Sequence, residues 1–197
     1  MSRMTLRQAV LLVAILNAGY FIIEFAAARA ILSVSLFADS IDFLEDTSLS
    51  LLVFLPATWS LQRRARLGRV LAVLLLVPGL TSLWVLVDKI LSPTPPEAFT
   101  FGIVSLGALV VNLACAFILV SHRNTHGSLS RAAWLSARND AIVNIAMIAA
   151  ALLTLWWVSA WPDIVLGAAV IWLNADAAVK VWRRASAEQR SGDAPES

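Results

Sequence analysis

The chain has 197 residues, 59% of them hydrophobic and 14% charged, with a net charge of +2 and a mean hydropathy of +0.79. An ordinary soluble domain carries about 25% charged residues, so this composition excludes both a soluble globular domain and an intrinsically disordered chain. The single cysteine excludes an internal disulfide and a multi-cysteine zinc or iron–sulfur site, and basic residues scattered in short clusters between apolar runs do not make a nucleic-acid face.

Apolar stretches of the ~20 residues that a bilayer demands occur near 6–28, 32–60, 67–92, 98–121, 130–158 and 161–183. The fold expected is therefore an all-α membrane protein with six transmembrane helices, multi-pass in the cell (inner) membrane. No period-2 alternation supports a barrel. The first stretch follows Arg3 and Arg7 and ends in Ala26, Ala27 and Ala28, which imitates a secretory signal. It is too long for one and contains Asn17 and Glu24, so it reads as a permanent span. With both termini cytoplasmic, the inner segments hold Arg3, Arg7, Arg63, Arg64, Arg66, Arg69, Arg123, Arg131, Lys180, Arg183, Arg184 and Arg190. Those are twelve of the fifteen Lys and Arg residues. Arg29 and Lys89 fall outside and Arg138 lies within the fifth span, so the positive-inside rule fixes this orientation. Trp84, Trp156, Trp157 and Trp161 mark the outer interface, and Trp59, Trp134 and Trp182 the inner one.

The second span carries charges where lipid solvent should forbid them. Asp39, Asp42, Glu45 and Asp46 place four carboxylates in eight residues of an apolar helix. At 100° per residue, Ser35, Asp39, Asp42, Asp46 and Ser50 form one stripe, with Glu45 roughly 80° from its centre. The fifth span carries Ser136, Asn139, Asp140 and Asn144 on one face, with Arg138 pointing almost opposite to Asp140. Asn17 and Glu24, seven apart, share a face of the first span. An acidic residue at mid-membrane costs about 2.5–3.5 kcal/mol, so Asp42, Asp46 and Asp140 together would cost on the order of 8–10 kcal/mol, comparable to the net stability of a domain. A water-accessible cavity with titrating carboxylates and a bound cation offsets that cost, whereas protonated carboxyls bonded between helices would be mere structural glue. Asp42 and Asp46 stack one turn apart, within reach of one ion, and Ser136 and Asp140 repeat the spacing with a hydroxyl in first place. Two such pairs facing each other make a four-ligand oxygen cage.

These residues resemble the cation diffusion facilitator family, six-helix divalent-metal/proton antiporters. The resemblance covers roughly residues 5–186. Asn17 and Glu24 sit as in the family's "N…E" pattern. The run from Ser33 to Ser40, followed by Asp42 and Asp46, is similar to "S-x-A-L-x-A-D-A-x-H-x-x-x-D". Leu109 to Leu113 matches "lvvNl", Ser136 and Asp140 with Asn144 match "H-x-x-x-D…S", and Pro162 to Val165 follows "aDPiv". The resemblance implies metal ligation by Asp42, Asp46 and Asp140, with Ser136 standing where the family usually has His or Asp. Asn139 or Asn144 can supply a carbonyl oxygen instead, and Asp39, Glu45, Glu24 and Asn17 are supporting polar residues. An all-oxygen set suits harder ions such as manganese or iron(II) better than a nitrogen-bearing one does.

Residues 1–186 then form a cation-efflux transmembrane domain. Residues 187–197 form a short polar tail without the cytoplasmic metal-binding domain that family members often carry, so a homodimer would form through the helices. Gln62 to Arg69 lacks the family's usual Gly-His pair and offers no second metal site. His122 and His126 read as a solvated loop, Asp176 and Lys180 as a structural i, i+4 pair, and Asp88 and Lys89 as interfacial residues at the outer end of the third span. The expected function is secondary transport of a divalent cation (manganese, iron, zinc, cobalt or cadmium) out of the cytoplasm against protons. It needs no cofactor beyond the cation as substrate and no nucleic acid, and its setting is the lipid bilayer. No phosphate-binding glycine loop or ATPase aspartate motif is recognisable, so an ion gradient drives it and the chain is not an enzyme. The alternatives are a magnesium-dependent lipid phosphotransferase and a transport-inactive metal-sensing subunit. Phe43 and Glu45-Asp46 stand where the former wants Gly and Ala-Arg; Ser136 motivates the latter.

Overall fold

The structure, a computed structural model, describes residues 5–54, 70, 78–121 and 127–175. Among the described residues the chain is all helix, with six helices and no strand. They are α1 (Leu6–Ile31), α2 (Val34–Phe54), α3 (described over 78–91), α4 (Ala98–Ser121), α5 (Gly127–Trp156) and α6 (Trp161–Ala175). Each lies within a span expected from the apolar periodicity or overshoots it by a few residues. The expectations for Gln62 to Arg69, His122, His126, Asp176, Lys180 and the tail 187–197 lie outside the described residues.

Local chemistry sets the helix ends. Thr5 and Gln8 form a reciprocal capping box at the start of α1: the Gln8 amide donates to Thr5 Oγ1 at 3.3 Å and the Thr5 amide to Gln8 Oε1 at 2.9 Å. α1 ends on Leu32, which adopts the left-handed conformation (φ 51°, ψ 44°) and turns the chain straight into α2. The carboxylate of Glu97 caps α4, accepting from the amides of Phe99 (3.0 Å) and Thr100 (2.6 Å). Hydrogen bonds from Thr100 and Phe99 hold this carboxyl below its ordinary value.

Three helical segments, Arg7–Ile31, Ala98–Val120 and Asn139–Trp156, are long and apolar enough to cross a membrane, and Trp161–Ala175 is a shorter apolar helix. α2 has the length and fails on composition, because of its four carboxylates. The outward faces are apolar: Ile22 on α1, Trp84 on α3, Phe117 on α4, Leu155 on α5 and Trp172 on α6 are all exposed. Hydrocarbon covers such a belt in a membrane protein, where water would not. Trp156, Trp157 and Trp161 are exposed together between α5 and α6, as expected of an interfacial aromatic belt.

α1 packs on α2 and α4, and α4 packs on α5. The apolar core between them lies toward the end of the bundle where α1 turns into α2, and includes Leu36, Phe37, Phe101, Val104, Met147 and Ala151. Phe25 meets Phe37 edge-on, with ring centroids 5.4 Å apart. On the other side of α1, Tyr20 donates its hydroxyl to the carbonyl of Val104 on α4. Gly107 leaves the room for that phenol, since a Cβ there would collide with it.

A polar knot ties the same end together. Asp163 at the start of α6 is fully buried, and its carboxylate accepts from Ser33 Oγ (2.7 Å), the Val34 amide (2.9 Å), the Ser35 amide (3.0 Å), Ser35 Oγ (2.6 Å) and Lys89 Nζ (2.7 Å). The first four donors are the N-terminus of α2, whose orphan amides and positive dipole end favour an anion. Lys89 also donates to the carbonyl of Leu32, which helps hold the left-handed turn. Lys89 is therefore not the interfacial residue its sequence position suggests: it is 2% exposed and ion-paired. Its ammonium finds a carboxylate that chain order hides 74 residues away. Gly167 lets α6 approach this closely, because a Cβ there would sit 2.8 Å from the Ser35 amide nitrogen.

Candidate cation site

The acidic stripe of α2 divides between two environments. Ser35, its first member, is consumed by the Asp163 knot. Asp39, one turn on, is 1% exposed, and Asn144 of α5 donates its amide to both carboxylate oxygens at 3.3 and 3.1 Å. Glu24 of α1 is fully buried with its carboxyl within hydrogen-bond reach of the Asp39 carboxyl, and no N–H or hydroxyl donor meets either of its oxygens. Asp42, Asp46 and Asp140 are half-buried, and Glu45 and Asn139 are exposed. The polar groups thus form a column that is sealed where α1 turns into α2 and half-open toward the other end of α2.

Electrostatics tie the column together across helices. Asp42 lies within reach of Asp39, Asp140, Glu45 and Asp46. Asp140 feels Asp46, Asp39 and Glu45 from across the α2–α5 boundary. Among the described residues no Lys or Arg forms a salt bridge with Glu24, Asp39, Asp42, Asp46 or Asp140. Like charges at close range repel, and a bundle keeps them only when a proton or a cation joins them. Among the described residues, however, no three His, Cys, Asp or Glu side chains converge closely enough to hold one metal ion. The side chain of Ser136, the fourth ligand expected, lies outside the described residues.

Of the supporting residues, Asn17, Glu24, Asp39 and Asn144 are all turned inward. Asn139 faces away, because one step along α5 from Asp140 is a rotation of about 100°. Chain order gave no reason to place Cys115 here. Its thiol donates to Asn17 Oδ1 at 3.6 Å and lies within electrostatic reach of Asp46, bringing α4 to the column. Asn112, one turn before it, is buried on the same helix. An isolated Cys or Asn in an apolar span does not announce which neighbour it meets.

The fold and this interior define an all-helical membrane protein with a column of carboxylates from its first, second and fifth helices. No family model matches the chain. A curated relative, the cadmium, cobalt and zinc/H(+)-K(+) antiporter of Bacillus subtilis (strain 168), is 29% identical over 171 residues, covering 80% of this chain. The alignment takes in 55% of that antiporter, so the chain spans a little over half the length of the relative it matches.

Proposed function

We propose that the chain is a secondary transporter of the cation diffusion facilitator type, exporting a divalent transition metal from the cytoplasm in exchange for protons. The observation that carries this reading is a set of carboxylates, Asp39, Asp42 and Asp46 of α2 and Asp140 of α5, within electrostatic reach across the two helices, with Asn144 of α5 bonded to Asp39 and no salt-bridge partner among the described residues. The similarity to a metal/proton antiporter supports the same class of substrate. In this reading Asp42, Asp46 and Asp140 bind the cation, with Ser136 as fourth ligand, in a multi-pass protein of the cell membrane with both termini cytoplasmic. The half-open end of the column then faces the cytoplasm and loads the ion. The other end is shut by Phe37, Phe101 and Met147 and by the Asp163–Lys89 knot. Release requires the outer ends of α1, α2, α4 and α5 to part, as in alternating access around a midplane site. Protons from outside neutralise the carboxylates and expel the ion, and their return to the cytoplasm resets the carrier.

Purified protein in vesicles with an acidic lumen and an alkaline exterior tests this. Manganese, zinc, cobalt, cadmium and iron(II) are offered in turn. Uptake of at least one metal, collapsing with the pH gradient and lost in Asp46→Ala and Asp140→Ala, is the expected result. Wild-type rates in both variants would overturn the site, and no gradient-dependent flux of any metal would overturn the function.

A further inference from the structure

Within the column, Glu24, Asp39 and Asn144 stand apart from the groups assigned to loading. Glu24 and Asn144 are 0% exposed and Asp39 1%, whereas Asp42, Asp46 and Asp140 are half-buried. Glu24 Oε1, Glu24 Oε2 and Asn144 Oδ1 meet no N–H or hydroxyl donor, and the Glu24 and Asp39 carboxyls face each other within reach of one shared proton or cation. Asn144 presents its amide nitrogen to Asp39 and leaves its own carbonyl oxygen unsatisfied, although the amide is held in place. Buried polar atoms are almost always paired, and an unmet acceptor costs about 1–3 kcal/mol, more when it carries charge. A surplus of acceptors needs a cation or a proton. Asp39 is three residues from Asp42, a rise of about 4.5 Å along α2 toward the closed end. The trio therefore lies on the outward path of an ion leaving Asp42, Asp46 and Asp140.

We propose that Glu24, Asp39 and Asn144 form a second station for the transported divalent cation, one helical turn outward of the loading group and occupied together with it. Two carboxylates match a charge of +2 and offer only oxygen donors, with Asn144 holding Asp39 in place through its amide. Such a set takes a dehydrated manganese, cobalt or zinc ion, with manganese favoured by ligand hardness. Two ions in adjacent stations repel, so arrival of the second weakens the hold on the first. A site of high negative charge thereby releases its cargo. The station rests on the reading of the chain as a divalent-cation carrier.

Equilibrium dialysis of the purified full chain in detergent, with manganese, cobalt and zinc each used alone, reads the number of ions bound. Two ions per chain are expected in the wild type with the best-bound metal. One is expected in Glu24→Gln and in Asp39→Asn, and the remaining ion should be lost on adding Asp46→Asn. The ion retained in the single variants is also the control for folding. One ion in the wild type, unaffected by Glu24→Gln and lost in Asp46→Asn, sinks the second station and leaves the proposed function standing. No ion in Glu24→Gln also overturns it, since the trio would then be support for the loading group. Two ions in the wild type, both indifferent to Asp46→Asn and Asp140→Asn, or none with any metal, would overturn the carrier reading itself.

Discussion

Two buried polar clusters lie in one bundle and obey opposite rules. At the end where α1 turns into α2, the Asp163 carboxylate has five donors, one a paired ammonium and four from a helix N-terminus. In the middle, Glu24 has no N–H or hydroxyl donor and faces the Asp39 carboxyl, and Asp39 has one amide shared between its two oxygens. A fully satisfied buried charge holds elements together, and removing either partner exposes the whole desolvation penalty. An unsatisfied one costs stability unless a proton or a cation joins it. The difference marks the Asp163 cluster as scaffold and the middle cluster as the candidate site.

The largest effect should come from breaking the knot. Asp163→Ala strands Lys89 as a buried cation and uncaps α2, a loss of about 3–5 kcal/mol, visible as a collapse of Tm in detergent. Adding Lys89→Met should recover part of that loss, because the two changes remove one interaction. The middle cluster should respond in the other direction. Glu24→Met removes two unsatisfied oxygens at similar volume and should stabilise the metal-free protein by about 1–3 kcal/mol. A drop in Tm instead would show that Glu24 has structural partners and erase the distinction drawn here. Gly167→Ala, on the knot side, forces a methyl against the Ser35 amide and should cost about 1–3 kcal/mol, read in the same melt.

The smallest effect belongs to an exposed cap. Glu97 has its carboxyl held low in the folded chain, so its contribution is present above the unfolded value and fades as pH falls through the folded one. Glu97→Gln should lower Tm slightly near neutral pH, and the difference from wild type should vanish in acid.

The six helices were legible because lipid solvent demands long apolar runs, and each run in the sequence has its described helix. The acidic stripe of α2 was legible for the converse reason, since Asp39, Asp42 and Asp46 are conspicuous where charge is costly. Helical period also put Asn17 and Glu24 on one face of α1, and both are buried. Lys89 misled, because a Lys near a span end normally reaches for the interface, and nothing local tells that Asp163 waits on α6. Asn139 misled by sharing a polar segment with Asp140 while facing away from it.

By itself the sequence determined the class, the number of helices and which side chains are too costly to be idle, because those follow from transfer free energies and the 3.6-residue period. Only the tertiary structure decided which costly groups are partnered and which are not. Asp163 and Glu24 are both acids in apolar surroundings, and they differ solely in which neighbours the packing of α1, α2, α3, α5 and α6 brings within hydrogen-bond distance. That distance dependence is set in three dimensions and has no counterpart along the chain.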